Sequence, residues 1–160
     1  MNSTLYIHLE KIRENLSAVN QVTGKGVQNM AVVKDEAYGH GMLPVADYLK
    51  DKVDWFCTAT IDEALQLRKH GIENPILVFE IPQQGKEKLY KKFDITASIS
   101  SLSVFKRLVP GTKAHLHFDT GMFRLGMFPE EVSEALDKMK TYSLEYTGIY
   151  THFANSDEVN

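Results

Sequence analysis

Apolar residues recur along the chain with two periods, and the switches between them outline its elements. Leu9, Ile12, Leu16 and Val19 fall at three- and four-residue steps, which gathers them on one face of a helix that Gly24 and Gly26 close. The run from Met30 to Lys34 is continuous, apolar and β-branched, and it is bounded by Asn29 and by a loop holding Gly39 and Gly41. It predicts a fully buried strand. The alternation then repeats, with a helix near 43–50, a strand near 54–58, a helix near 61–70 and a strand near 75–80. Thr60 followed by Glu63 is the signature of a capping box, in which hydroxyl and carboxylate satisfy each other's exposed amides, and Gly71 stands where that helix stops.

Further strands are expected near 93–98, 113–119 and 146–152, separated by a helix near 101–109 and a better-defined one near 129–140. Pro129 opens the latter. Its Val132, Ala135, Leu136 and Met139 share one stripe, while Glu130, Glu131, Glu134 and Lys138 face water. Strands alternating with helices imply parallel strands joined by right-handed crossovers, hence an α/β sheet or a (β/α) barrel of TIM type. About six strands are counted, whereas a closed eight-stranded barrel takes ~250 residues. The expectation is an incomplete barrel, about six of eight βα units, and no Pro/Gly/Ser-rich linker divides residues 1–160 into separate pieces.

Composition narrows the function classes. With 43% hydrophobic and 24% charged residues the chain has the balance of an ordinary soluble domain rather than of a disordered one. The formal net charge is −3 with the signs interspersed, so no basic stripe marks a nucleic-acid partner. The single cysteine, Cys57, leaves no intrachain disulfide and no CxxC pair for zinc or redox chemistry. The start, MNSTLYIHLEKIRENL, lacks the basic and apolar regions of a signal peptide, and nothing approaches the ~18 apolar residues of a membrane span. These features read as a cytoplasmic protein with no membrane partner.

Functional groups of a (β/α) barrel gather at the C-terminal ends of its strands. Lys34, Asp119 and His152 end the first, fifth and sixth expected strands and so converge on one rim. A lysine at the end of a buried strand suits a Schiff-base amine, because burial disfavours its charged form; a side chain that simply reaches solvent is the structural alternative. Around it the sequence runs AVVKDEAYGHG.

That segment resembles the lysine motif of alanine racemases, in which a strand ends in lysine and a short loop carries AYGHG. HLHFDTGMFRLGM, from His115 to Met127, is similar to the family's aspartate-threonine-glycine-methionine stretch ending in arginine-leucine-glycine, and GIYTHFANSDE to its threonine-histidine-phenylalanine-alanine block. With the first helix and TATIDEA, the resemblance covers essentially the whole chain.

The resemblance implies a pyridoxal 5'-phosphate enzyme that interconverts L- and D-alanine for the cell wall, acting as a homodimer. By it, residues 1–160 are the N-terminal part of the barrel domain, and the family's C-terminal β domain is absent after Asn160. By it, too, Lys34 carries the cofactor and serves as base on one face of the α-carbon. Tyr38 contacts the phosphate, against the alternative of a half-buried loop aromatic. Arg124 binds the substrate carboxylate, against a surface ion pair. His152 packs near the cofactor ring, against a satisfied structural histidine.

Three departures stand out. Asp35 and Glu36 follow Lys34 where the family has small or neutral residues, and their charge would favour a protonated lysine. Phe123 stands where glycine is usual. His117 takes the place of a lysine that becomes carbamylated and braces the arginine. The opposite-face base of the family is a tyrosine from the partner subunit's C-terminal domain, so this piece is expected to be inactive alone and, with open strand edges, to associate with another copy. Two other readings compete. In one, His115, His117 and Asp119, alternating on one strand face and joined by His152, bind a metal in a barrel hydrolase. In the other, the chain is a cofactor-binding or interaction fragment without catalysis.

Overall fold

The computed structural model describes residues 3–156; Met1, Asn2 and 157–160, which include Asp157 and Glu158 of the GIYTHFANSDE block, lie outside the described residues. Its elements are α1 (Leu9–Thr23), β1 (Met30–Val32), α2 (Lys34–Gly39), α3 (Met42–Leu49), β2 (Trp55–Thr58), α4 (Ile61–Lys69), β3 (Ile76–Val78), α5 (Glu87–Lys92), β4 (Thr96–Ile99), β5 (Lys113–Phe118), α6 (Val132–Thr141) and β6 (Glu145–Thr151). All six strands pair in parallel in chain order, β1-β2-β3-β4-β5-β6. This is the wall of an incomplete TIM-like barrel, as the alternation predicts.

Period-two alternation divides each strand between two surroundings. Phe56, Ile76, Val78, Ala97, Ile99, Ala114 and Leu116 belong to one apolar cluster with Val45 and Leu49 of α3, Ile61, Ala64 and Leu67 of α4, Tyr90 of α5, and Ala135 and Met139 of α6. Each fully buried side chain of this size contributes about 1.5–3 kcal/mol, so this layer holds the sheet curved. On the alternate positions sit Ser98, His115, His117 and Tyr150; Ser98 bonds the Tyr150 hydroxyl, and the His117 ring stacks on Tyr150.

The α4 capping box forms as read: Thr60 Oγ1 accepts the Glu63 amide at 3.2 Å, and the Glu63 carboxylate accepts the Thr60 amide at 3.0 Å. The first helix forms as α1, but no residue in it is buried; Leu9, Ile12 and Leu16 pack partly on the core and Val19 stays exposed.

Four features differ from expectation. The first strand is not fully buried: Met30 and Val32 are 37% and 38% exposed, because β1 is an edge strand, and it ends two residues before Lys34. The helix expected near 101–109 contracts to a single 3₁₀ turn, Phe105–Arg107. A helix not expected, α5, forms over six residues, too few to show a helical period. The helix near 129–140 begins as a 3₁₀ turn at Pro129–Glu131 before α6, and Leu136 on its apolar stripe is 40% exposed.

Candidate functional site

Lys34 opens α2, one residue of connection after β1, and the backbone there has the opposite hand. Asp35, Glu36, Ala37 and Tyr38 all have φ between 51° and 56°. None is glycine, and left-handed backbone costs an L-residue roughly 1–2 kcal/mol each, so the turn is strained and has to be held from outside. Within it, the Ala37 amide donates to Val33 O at 3.0 Å and the Gly41 amide to Glu36 O at 2.7 Å. Glu36 turns its carboxylate to the Met42 amide at the start of α3, 3.1 Å away. The Asp35 amide donates to Glu63 Oε1 on α4 at 2.7 Å. Neither acidic neighbour forms an ion pair with Lys34. The turn sets Lys34 Nζ 5.8 Å from the centre of the Tyr38 ring.

Both residues line a cavity of about 360 Å³ at the C-terminal ends of the strands, together with Phe79 and Glu80 after β3, His117 of β5, Arg124 and Leu125 of the following loop, and Tyr150, Thr151 and His152 around the end of β6. Four residues singled out from sequence, Lys34, Tyr38, Arg124 and His152, are thus brought to one space. A second groove, of about 400 Å³, lies beside α1 and is lined mainly by aliphatic side chains such as Ile12, Leu16 and Val45, so it offers little chemistry.

One wall of the cavity is aromatic. The His117 imidazole stacks on Tyr150 with centroids 4.3 Å apart and planes 11° from parallel, and the Phe79 ring is tilted against Tyr150 at 5.8 Å. Tyr150 is anchored by a 2.6 Å bond between its hydroxyl and Ser98 Oγ; burial pushes its phenol up to about 12. His117 is buried with both ring nitrogens unpartnered. Burial lowers its pKa; the Asp119 carboxylate opposes this, and the neighbouring Arg124 and His152 reinforce it. Sequence reasoning missed Tyr150 and Phe79, although Tyr150 precedes His152 by two residues and so shares its strand face.

Asp119 stands just beyond β5, as expected, but does not line the cavity. Its Oδ1 accepts the Gly121 amide at 2.8 Å, and the amides of Phe123, Met122 and Arg124 add to the field that lowers its pKa. The carboxylate therefore organises the loop that delivers Arg124. That loop closes on the strand through Asp119 N–H to Met127 O and Met127 N–H to His117 O, both 2.8 Å. At Gly126, φ +128°, a Cβ would stand 2.5 Å from the Asp119 nitrogen, so only glycine permits this approach. Phe123 has φ 54° with its ring 81% exposed.

The metal reading finds no support. His115 is bonded to Thr147 Oγ1 at 3.0 Å and wedged against Trp55, and among the described residues no three histidine, cysteine or carboxylate groups gather to hold an ion.

Parallel strands of a (β/α) barrel, with a lysine after the first, an arginine after the fifth and a histidine after the sixth lining one cavity, define a barrel protein with its candidate site at the C-terminal rim. The model of the family "Alanine racemase, N-terminal domain" matches residues 7–160. The chain belongs to that family. It is 38% identical over 160 residues to an alanine racemase of Streptococcus pneumoniae (strain Hungary19A-6), covering 95% of this chain and 43% of the relative. Solved structures agree: the alanine racemase of Clostridium difficile 630 superposes with a TM-score of 0.90 at 31% identity, over 99% of this chain and 46% of that one. The enzyme from E. faecalis gives 0.89 at 31% identity, over 96% and 44%. This chain thus spans less than half the length of the relatives it matches.

Proposed function

We propose that residues 1–160 are the N-terminal part of the barrel domain of a pyridoxal-5'-phosphate-dependent alanine racemase and hold its cofactor. The observation that carries this reading is the convergence of Lys34, Tyr38, Arg124 and His152, from three different loops, on one cavity.

The residues present fit such a cofactor. A volume of about 360 Å³ falls within the range of ligand sites, roughly 300–1,000 Å³. Flat aromatic walls suit a planar ring, cationic side chains suit a phosphate and a carboxylate, and the two unpartnered nitrogens of His117 await a polar group. When bound, pyridoxal phosphate supplies an electron-withdrawing ring that acidifies the α-hydrogen of an attached amino acid.

The chain's own residues do the rest. Lys34 Nζ would hold the cofactor and would take up or return a proton at the substrate's α-carbon on the face it occupies. Tyr38 would hold the cofactor's phosphate through its hydroxyl. Arg124 presents a planar, permanently charged fork to the substrate carboxylate, which fixes the bond to be broken. His152 would pack beside the cofactor, and the His117–Tyr150–Phe79 wall would exclude water there. By the family resemblance, the base for the opposite face would be a tyrosine of a partner subunit's C-terminal domain, outside residues 1–160. The physiological role that follows is supply of D-alanine for the cell wall, in the cytoplasm; among the described residues no helix is long and apolar enough to cross a membrane.

The test is a visible spectrum after addition of pyridoxal phosphate, then borohydride reduction and mass mapping. A band that reduction fixes as a label on Lys34 is expected. No band, with label scattered over surface lysines, would refute the reading.

A further inference from the structure

α2 is the costly part of the site, and its hold on other elements is narrow. Four successive left-handed residues lie between Lys34 and Gly39, and most hydrogen bonds that brace them are local: Val33 O, Ala37 O and Glu36 O accept from Ala37, His40 and Gly41. His40 Nδ1 also lies 2.8 Å from Ala37 O. The bond that ties the turn to a distant element is the one from the Asp35 amide to Glu63 Oε1, across 28 positions of sequence. Glu63's other oxygen, Oε2, accepts the Ala59 amide at 2.8 Å and the Thr60 amide at 3.0 Å. One carboxylate therefore joins the N-terminus of α4, the loop after β2 and the amide that immediately follows Lys34.

A carboxylate suits this task. It accepts on both oxygens without offering a donor, and three amides, each with a single proton to give, converge on it. A glutamine could present one carbonyl oxygen to either set of amides, but its NH₂ would then face the other set donor to donor.

We propose that Glu63 is a positioning residue for Lys34 and Tyr38: by holding the Asp35 amide it keeps the left-handed turn in register with α4, and so keeps the amine and the phenol in the cavity. Its role is separable from ordinary helix capping. Thr60 contributes to the same capping box through its hydroxyl but makes no bond to α2. Thr60→Ala removes the cap bond given by the Glu63 amide and leaves the Asp35–Glu63 contact; Glu63→Ala keeps that backbone donor and removes the carboxylate's bonds to the Asp35, Ala59 and Thr60 amides.

The experiment compares the unsubstituted chain with T60A, E63A and E63Q. The first readout is amide hydrogen exchange at Asp35 to Tyr38, without cofactor. A charge-assisted bond lost from a strained turn speeds exchange roughly ten- to a hundredfold. This is expected in E63A, partly in E63Q, and not in T60A. The second readout, which rests on the cofactor reading above, is the pyridoxal phosphate concentration that half-saturates the Lys34-linked band. It is expected to rise roughly tenfold in E63A and less than about twofold in T60A.

Equal exchange at 35–38 in E63A and T60A would overturn the proposal and leave Glu63 a helix cap. Faster exchange with unchanged half-saturation would also overturn it, since the turn would then not govern the site. Were E63A not to fold, E63Q against T60A makes the same comparison. Absence of any Lys34 band in the unsubstituted chain would refute the cofactor reading, while the exchange comparison still decides whether Glu63 holds the turn.

Discussion

His117 lies face to face with Tyr150, 4.3 Å between ring centroids, and the stack leaves both imidazole nitrogens buried and unpartnered. Burial favours the neutral ring, so its folded pKa lies below the ordinary 6.5. The unfolded chain then binds a proton first as pH falls. The stability tied to a neutral His117 is complete above about pH 6.5 and is lost progressively below it, down to the folded pKa. His117→Gln is expected to flatten the acid side of the stability curve relative to the parent. Denaturant titrations at pH 7.5 and pH 5 check this: a parent-to-variant difference that does not change with pH would count against it.

Asp119 behaves with the opposite sign. Amides of Gly121 and Phe123 foremost hold its pKa below the ordinary 3.8, so its contribution is present above that value and is lost as pH falls through the folded one. Asp119→Ala is expected to speed amide exchange from Gly121 to Arg124 and to make that loop insensitive to acid. Unchanged protection of those amides would show that the carboxylate does not hold the loop.

Phe123 occupies left-handed backbone with its ring in solvent, so it contributes strain without burial. Phe123→Gly relieves the strain but adds unfolded-state freedom, and the balance is a stability change within about 1 kcal/mol, on the favourable side. Phe123→Val, β-branched at the same φ, is expected to cost about 1–2 kcal/mol. Thermal unfolding of the pair gives the comparison, and a valine variant as stable as the glycine one would contradict it.

Gly148 faces the His115 ring, and a Cβ built there would lie 2.5 Å from Nε2. His115 cannot swing away freely, being bonded to Thr147 and set edge-on against Trp55 at 5.2 Å. Gly148→Ala is therefore expected to cost about 1–3 kcal/mol, with much of that loss absent when His115 is already alanine. Additive losses in the double variant would show that the contact is not what makes glycine necessary.

These relationships were unequally legible in the sequence. The succession of strands and helices, the places of Asp119 and His152 just past their strands, and the Thr60–Glu63 box follow from period, turn chemistry and spacing, which are local. The hand of α2 does not: KDEAY offers no glycine where φ is positive, and its strain is sustained by tertiary bonds such as that from Glu63. Stacking of His117 on Tyr150 depends on the β5–β6 register, which shifts at Ala114/His115, and register is set by both strands together. The aim of Asp119 was equally hidden. Its strand position suggests chemistry, and only the closed loop shows the carboxylate spent on backbone amides.

Because all six strands point the same way, the two bare rims of the sheet are not equivalent to hairpin edges. A parallel neighbour cannot be reached by a tight turn; it arrives only with a crossover of about a dozen residues or more. Continuing the curve from β6 round to β1 in the same direction therefore calls for whole strand-and-helix units, so the cavity's remaining side is a matter of added modules rather than of added loops.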